Sequence, residues 1–235
     1  MRLHRFLIEL PLSAVDVFEI TDTNLLHQWS RVLRYGGGEE VCLLDGKGRE
    51  IIARLLKCSG DGAQVQVLSR REEVEPMGMQ LTLCFSLLKR EHTELVLQKG
   101  AELGVARFQP ILCTRTIKEG IKTERAEKIL REATEQSGRL WLPELSEVKP
   151  FDQVLQETDP KETVFASLAD LSEGDDKQFS EPGVAHLSLF IGPEGGWTEG
   201  EECLATERKV RRLRLSRQVL RAETACLAGA ALLLV

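Results

Sequence analysis

From residue 79 onward, segments of strand character alternate with segments of helical periodicity, and this alternation restricts the possible folds more than any other feature of the chain. Strands are expected at 79–87, 108–113, 163–168, 185–192 and 210–215, and helices at 91–103, at 123–137, from Thr198 and from near Arg221. Alternation of this kind predicts an α/β fold in which helices cover a parallel sheet. A ligand crevice is then expected at the carboxyl ends of the strands.

The N-terminal part of the chain has a different pattern, with short β-prone runs separated by glycine-containing turns. Runs at 41–44 and 51–56 flank the hairpin signal Asp45-Gly46-Lys47-Gly48-Arg49, and a third run alternates at 64–68. A short helix is expected within 24–34. These features predict a small β-barrel domain.

A charged stretch that ends in Pro76 separates the two patterns. Such segments commonly mark domain boundaries. The sequence therefore predicts a first domain at 1–71, a linker at 72–77 and a second domain at 78–235.

Charge is distributed unevenly, although the net charge at pH 7 is −6. Residues 152–181 contain nine acidic and two basic side chains, whereas residues 208–221 contain seven basic and no acidic ones. A basic stripe can neutralise phosphates even on an acidic protein, because salt screens charge interactions beyond about 10 Å. The stripe at 208–221 is therefore either an RNA-binding surface or the solvated face of a strand, and the sequence leaves both interpretations open.

Several classes of protein are disfavoured. The longest apolar runs, 187–191 and 227–235, are far shorter than the roughly 20 residues that span a bilayer, and the N-terminus is too polar for a signal peptide. A cytoplasmic protein without membrane contact is expected. The six cysteines contain no Cys-x-x-Cys pair and the four histidines have no ligand spacing, which favours buried free thiols and disfavours a metal site.

Residues 189–201 join a strand to a helix through a corner rich in glycine and proline. Thr198 precedes Glu201 by three residues, the spacing of a capping box, so a helix should begin there. Glycines leave backbone N–H groups open to a ligand, although a plain strand-to-helix turn has the same composition. The strand ends at Leu168 and Leu215 are further candidate loops. No G-x-G-x-x-G and no P-loop motif follows any strand, which disfavours the corresponding nucleotide sites.

Four short sequence motifs follow one another along the chain. They are Q-K-G-A-E-L-G-V at 98–105, E-A-T-E-Q-S-G-R at 132–139, I-G-P-E-G-G at 191–196 and V-L-R-A-E-T-A at 219–225. Together with His4-Arg5-Phe6, His27, Val32-Leu33-Arg34 and Asp45-Gly46-Lys47-Gly48, they resemble the RsmE family, the ribosomal RNA small subunit methyltransferases E. The resemblance covers nearly the whole chain.

The resemblance implies a PUA-like β-barrel domain followed by a SPOUT methyltransferase domain with a C-terminal trefoil knot. The pattern of strands and helices alone does not predict a knot, because true knots are close to absent among folds. It also implies S-adenosylmethionine as cofactor, a homodimer, and methylation of N3 of a uridine in 16S rRNA, position 1498 in the usual rRNA numbering. The partner is 16S rRNA or the small ribosomal subunit. Two alternatives stay open: a ribose 2′-O-methyltransferase of the same superfamily, and a non-catalytic RNA-binding or ribosome-assembly protein.

The family's cofactor pocket is formed by three loops. The resemblance implies that six residues of this chain line such a pocket: Leu168, Gly192, Gly196, Leu215, Val219 and Leu220. Glu223 is expected to accept the N3 proton, while Arg221 stabilises charge on the uracil carbonyls or anchors a phosphate. A salt bridge or helix cap is the alternative role for Glu223. RNA contacts are expected at Arg5, Arg34 and Arg139, and no metal is expected.

The third loop departs from the family pattern L-G-x-R-I-L-R. Ser216 stands in place of the glycine and Gln218 in place of the arginine. Because serine adopts a left-handed backbone less readily than glycine, Ser216 argues against that conformation here. Gln218 removes a cation but still offers hydrogen bonds.

Overall fold

The computed structural model describes residues 3–8, 15–76, 78–116, 120–168 and 185–234. Contacts divide the chain into two units, of which the first comprises Met1–Pro76 and Thr134–Leu142, and the second comprises Met77–Ala133 and Pro143–Val235. Each unit has its own buried apolar core.

The first unit contains a five-stranded sheet in the order β1, β3, β4, β5, β2. Its strands are β1 (His4–Leu7), β2 (Val17–Ile20), β3 (Glu40–Leu44), β4 (Arg49–Cys58) and β5 (Ala63–Glu72). β1 and β3 are parallel, and the other pairs are antiparallel. The expected strands at 41–44, 51–56 and 64–68 and the hairpin between the first two are confirmed. β1 and β2 were not predicted, because four residues are too few to display alternation.

The helix expected within 24–34 forms in two parts. α1 (Thr23–His27) begins after Asp22, whose side chain accepts a hydrogen bond from the Leu25 amide at 2.9 Å. It continues as a π-helix at Gln28–Val32. This geometry buries Trp29 completely and sets its ring 5.3 Å from that of Phe6, so the helix closes the core of the first unit.

Within the described residues, the second unit contains a sheet of seven strands, and every pair of neighbours is parallel. The order is β12, β10, β11, β6, β7, β8, with β9 also paired to β7. The strands are β6 (Gln80–Ser86), β7 (Arg107–Leu112), β8 (Glu144–Leu145), β9 (Lys149–Pro150), β10 (Thr163–Ala166), β11 (His186–Ile191) and β12 (Arg211–Leu213). The predicted α/β fold with a parallel sheet is confirmed. β10 lies between β11 and β12, so the connection from β11 to β12 crosses over β10. The trefoil knot itself stays a prediction.

In the described part of the chain, five helices accompany this sheet: α2 (Arg90–Leu103), α3 (Thr123–Ser137), α4 (Phe151–Glu157), α5 (Glu199–Glu207) and α6 (Ala222–Leu234). A 3₁₀-helix precedes β10 at Pro160–Glu162. α4 was not predicted, because its seven residues are too few to show helical periodicity. None of the helices in the described ranges is long and apolar enough to cross a membrane.

Both faces of the parallel sheet are buried, which explains why its central strands are apolar at nearly every position. Leu189 and Ile191 of β11 belong to a core with α2 and α6, whereas Phe190 belongs to a second core with α4 and α5. α6 packs closely on β11, since a Cβ at Gly229 would lie 2.6 Å from Leu189 Cδ2.

Candidate functional site

A cavity of about 270 Å³ opens at the carboxyl ends of β10, β11 and β12. Its wall comes from the three loops that follow these strands and from the first turns of α5 and α6. The residues are Ala166, Ser167, Leu168, Ile191, Gly192, Pro193, Gly196, Trp197, Glu202, Leu213, Leu215, Ser216, Gln218, Leu220, Ala222 and Ala225. A mostly apolar wall with a few polar groups is typical of small-molecule sites.

Five of the six residues predicted to bind the cofactor lie in this wall, namely Leu168, Gly192, Gly196, Leu215 and Leu220. Val219 does not line the cavity, and 79% of its surface is exposed. The structure therefore brings the three predicted loops together around one space. Binding of the cofactor by these residues stays a prediction.

Trp197 is a wall residue that sequence reasoning missed. Its indole Nε1 donates a hydrogen bond to the Ala166 carbonyl at 2.8 Å, and its ring stacks on Phe165 with centroids 4.5 Å apart. A Cβ at Gly192 would lie 2.8 Å from Trp197 Cε2. The glycine is therefore needed here for close approach of the indole, which links the loop after β11 to the end of β10.

Glu202 is the acidic residue of the wall, and two neighbours hold its carboxylate. Oε1 accepts a hydrogen bond from Ser167 Oγ at 2.6 Å, and Oε2 accepts one from Arg212 Nη1 at 2.5 Å. The Arg212 guanidinium also lies over the Phe165 ring, 5.6 Å from its centroid. Arg212 thus belongs to the support of the site, whereas the sequence placed it in a stripe with possible RNA contact. The Glu202 carboxylate is fixed in orientation and partly neutralised.

The predicted capping box at the start of α5 is confirmed. Thr198 Oγ1 accepts from the Glu201 amide at 3.3 Å, and Glu201 Oε2 accepts from the Thr198 amide at 2.7 Å. Glu201 Oε1 accepts from the Thr114 amide at 2.8 Å. Burial alone would raise the pKa of Glu201, but hydrogen bonds from Thr198 and Thr114 outweigh it and hold the pKa below its ordinary value. The cap therefore fixes the start of α5 to the loop after β7.

Arg115, a second residue that the sequence did not indicate, holds the glycine-rich corner from the other side. Its Nη1 donates to the Gly195 carbonyl at 2.8 Å and to the Trp197 carbonyl at 3.2 Å. The contact joins residues that are far apart in the chain, so no local pattern could have indicated it.

In the loop after β12, where the family pattern has a glycine, hydrogen bonds between Ser216 and Gln218 stabilise the turn. Ser216 Oγ accepts from the Gln218 amide at 3.1 Å and donates to Gln218 Oε1 at 3.2 Å. Among the described non-glycine residues, positive φ occurs at Arg34 and Lys209 and not at Ser216. The expectation that Ser216 disfavours a left-handed backbone is confirmed.

Arg221 and Glu223, the predicted catalytic pair, have different surroundings. Arg221 is exposed just before α6. The Glu223 side chain is only 10% exposed, and its Oε2 lies 3.5 Å from Nδ1 of His92 on α2. Within the described residues, neither of these two buried atoms has a hydrogen-bond partner. Ala222, between the pair, lines the cavity, whereas the two side chains do not.

The three arginines predicted to contact RNA also differ in exposure. Arg34 is exposed. Arg5 lies within the first unit, where its buried Nε is close to Cys42 and its Cζ would be 2.8 Å from a Cβ at Gly138. Arg139 is partly buried, and burial lowers the pKa of its guanidinium to about 10. Of the three, Arg34 is best placed for a solvent-borne partner, and RNA contact by all three stays a prediction.

Several cations of the basic stripe at 208–221 are bound within the second unit. Arg208 donates to the Thr158 carbonyl at 2.7 Å and Arg211 to the Lys161 carbonyl at 3.0 Å, in addition to the Arg212–Glu202 pair. The remaining cations are exposed: Lys209, Arg214, Arg217 and Arg221. The stripe is thus partly structural. Residues 169–181 of the acidic segment lie outside the described residues.

All six cysteines are free; four are buried, Cys58 is half-buried and Cys203 is exposed. Across the described ranges, no group of three or more His, Cys, Asp or Glu residues is arranged to hold a metal ion.

Residues 75–234 match the RNA methyltransferase domain family. The ribosomal RNA small subunit methyltransferase E of Synechocystis sp. is 32% identical, with 93% of this chain and 73% of the relative aligned. That of Bacillus subtilis is 30% identical, with 95% and 93% aligned. The crystal structure of a ribosomal RNA small subunit methyltransferase E from Neisseria gonorrhoeae bound to S-adenosyl methionine is similar with a TM-score of 0.86 and 29% identity, covering 98% of this chain and 96% of that one. The cavity lies within the matched domain, and the chain belongs to the ribosomal RNA small subunit methyltransferase E family.

Proposed function

We propose that this protein methylates N3 of a uridine in 16S rRNA, at the position usually numbered 1498, with S-adenosylmethionine as methyl donor. The observation that supports this proposal best is the cavity at the carboxyl ends of β10, β11 and β12. It gathers five of the six residues expected at the cofactor site, in a chain that belongs to this family.

The composition of the cavity wall fits S-adenosylmethionine. Leu215, Leu220 and Ala225 provide apolar surface suited to an adenine ring. Glu202 provides a carboxylate, and no Lys or Arg occurs among the described wall residues. That charge pattern suits a ligand that has a sulfonium and an ammonium group and no phosphate. When bound, the cofactor supplies an electrophilic methyl group.

The residues of the chain then have to position the uridine and remove its N3 proton. Alignment of the nucleophile with the S–CH₃ bond supplies much of the rate in such a displacement. Arg221 is exposed at the start of α6, where its guanidinium would contact a uracil carbonyl or the neighbouring phosphate. Its neighbour Ala222 lines the cavity, so that contact would take place beside the methyl donor.

Glu223 is the proposed proton acceptor. Its Oε2 is buried and without a hydrogen-bond partner among the described residues, and a buried polar group of this kind commonly has a functional role. The Glu223 side chain does not line the cavity. Catalytic hydrogen bonds often form fully only with substrate bound, so this position is compatible with a role as proton acceptor. His92, 3.5 Å away, would orient the carboxylate.

The RNA would be held by the exposed cations of the basic stripe, Lys209, Arg214, Arg217 and Arg221, and by Arg34 of the first unit. Phosphate contacts of this kind make affinity fall steeply with salt. We further propose a homodimer that uses α6. After Glu223 this helix has no charged residue, yet Leu232 is 57% exposed. An exposed apolar helix surface is typical of subunit contacts.

Nucleoside analysis of rRNA from a strain that lacks the gene tests the proposal. We expect loss of 3-methyluridine, its restoration by the wild-type gene, and no restoration by Arg221→Ala. Retention of 3-methyluridine in the deletion strain would refute the target atom, and loss of a 2′-O-methylated nucleoside would support the ribose alternative. Calorimetry with S-adenosylmethionine distinguishes a catalyst from a non-catalytic RNA-binding protein, which should show no binding heat.

A further inference from the structure

A second cavity, also of about 270 Å³, lies in the second unit between the first turns of α2 and α3. Its floor is apolar, formed by the buried residues Leu88, Leu97 and Ala126. Three cations and one acid surround the opening: Arg90, Lys122, Arg125 and Glu94. The opening therefore has a net positive charge above an apolar floor. The charged side chain of the first cavity, Glu202, has the opposite sign.

Glu94 organises this opening. Its Oε1 accepts from Arg90 Nε at 3.0 Å, and its Oε2 accepts from Arg125 Nη2 at 3.0 Å and Nε at 3.3 Å. One carboxylate thus holds two guanidiniums, one from each helix. Because both are already oriented, less rotamer entropy is lost when they bind an anion. Lys122 is exposed beside them and has no ion-pair partner among the described residues.

The second cavity lies at the same edge of the sheet as the first. β6 and β11 are parallel neighbours, so Leu88, just beyond β6, and Gly192, just beyond β11, follow the same ends of adjacent strands. α2 and α6, whose first turns contribute to the two cavities, pack against each other. In these turns, Nδ1 of His92 on α2 lies 3.5 Å from Oε2 of Glu223 on α6. A strand of RNA that reaches the first cavity along this edge would therefore pass the second.

We propose that the second cavity binds a nucleotide of the RNA substrate next to the target uridine, with a phosphate on the cationic opening and the ribose or base on the apolar floor. The inference rests on the proposed function, because that function brings RNA to this edge. A nucleotide combines an anionic phosphate with flat, largely apolar faces, and so uses both parts of the cavity. Inorganic phosphate would use only the opening.

The test measures the affinity of the full-length protein for a short single-stranded RNA that contains the target uridine, at several salt concentrations. Arg125→Ala should weaken binding about tenfold and reduce the slope of log affinity against log salt by about one, as expected for one lost phosphate contact. Arg125→Lys keeps the charge but loses the two-pronged contact with Glu94, so it should restore less than half of the loss. Lys128→Ala is the matched control, since Lys128 is exposed on the same helix and outside the cavity.

Affinity for S-adenosylhomocysteine should equal that of the wild type in all three variants, which shows that they fold and keep the first cavity. Uridine 5′-monophosphate should shift the methyl NMR signals of Leu88 and Leu97, and inorganic phosphate should not. Equal losses of RNA affinity in Arg125→Ala and Lys128→Ala would overturn the inference while leaving the proposed function intact, and so would equal shifts with phosphate alone. A wild-type protein that binds no such RNA would overturn the inference as well, whereas the proposed function is decided separately by the loss or retention of 3-methyluridine in the deletion strain.

Discussion

The indole of Trp197 fills the space in which a side chain at Gly192 would have to lie, because a Cβ there would be 2.8 Å from Trp197 Cε2. Gly192→Ala should therefore displace the indole and break its 2.8 Å hydrogen bond to the Ala166 carbonyl. We expect at least a tenfold loss of affinity for S-adenosylmethionine in calorimetry. Overpacking of this kind also lowers the free energy of unfolding by about 1–3 kcal/mol, measured by urea denaturation.

Gly200→Ala is the matched control for Gly192→Ala. Gly200 lies in the first turn of α5, and a Cβ there would meet no atom within 4 Å. This variant should bind the cofactor like the wild type and be slightly more stable, because alanine favours helix over glycine by about 0.8–1.0 kcal/mol. Wild-type affinity in Gly192→Ala would mean that the indole position is irrelevant to binding.

The Glu202 carboxylate, held by Ser167 and Arg212, should contribute directly to cofactor affinity. Hydrogen bonds to a charged group contribute about 1.5–3 kcal/mol, so Glu202→Ala should weaken S-adenosylhomocysteine binding by roughly 10- to 100-fold in calorimetry. Glu199→Ala, an exposed acid at the start of the same helix, should have no effect. Equal affinities in the two variants would exclude a ligand contact at Glu202.

Arg221 and Glu223 should affect turnover and leave cofactor binding unchanged. For a general base, Glu223→Gln should lower kcat by about 10²- to 10⁴-fold in a methyl-transfer assay on RNA. His92→Ala should lower kcat less, and His92→Gln should recover part of the loss if His92 orients the carboxylate. If Glu223→Gln keeps more than a fifth of wild-type kcat, the contact between Glu223 and His92 serves helix packing and not catalysis.

Glu201 should stabilise the fold in a pH-dependent way. Its pKa in the folded protein lies below the ordinary value of 4.5, so its contribution is fully present above that pH and is lost as the pH falls through the lower, folded-state pKa. Glu201→Gln keeps an acceptor oxygen for the capping box but removes its charge, so it should reduce the free energy of unfolding at pH 7 by about 1 kcal/mol, roughly the difference between a hydrogen bond to a charged group and one to a neutral group. The difference from wild type should shrink in urea denaturation below pH 4.5. Glu199→Gln, outside the capping box, should show no such trend.

The cysteines should differ in reactivity toward a thiol reagent in the native protein. Burial raises the pKa of Cys42 and of Cys113 to about 12, and burial also raises the pKa of Cys84 and of Cys226. Cys203 is exposed and should react first, because the thiolate is the reactive form. Cys203→Ser should remove the fast phase in a stopped-flow titration, whereas fast labelling of several thiols would contradict the buried positions.

Features that depend on neighbouring residues could be predicted from the sequence. Thr198 and Glu201 are three residues apart, and their capping box forms as expected. Gly104 ends α2 with a left-handed backbone, in agreement with the helix expected to end there. The order of strands and helices likewise follows from local patterns, because each strand of a buried parallel sheet is apolar along its length.

Features that depend on contacts between distant segments could not be predicted. The hydrogen bond of Trp197 to Ala166, the ion pair of Arg212 with Glu202 and the approach of His92 to Glu223 each join different elements. Arg212 was placed with its charged neighbours because sequence shows charge and not partners. Val219 was assigned to the pocket from the family motif, yet the turn before α6 leaves it exposed.

The wall of the first cavity contains residues from the loop after β12 and from the first turn of α6, which follow all other wall residues in the chain and are synthesised after them. A nascent chain that ends before β12 lacks one side of the cavity. Under the proposed function, affinity for the methyl donor would therefore be acquired only when β12 and α6 have joined the sheet. A ligand that binds only the folded form stabilises it, so the cofactor would protect from proteolysis those molecules in which β12 and α6 are already in place.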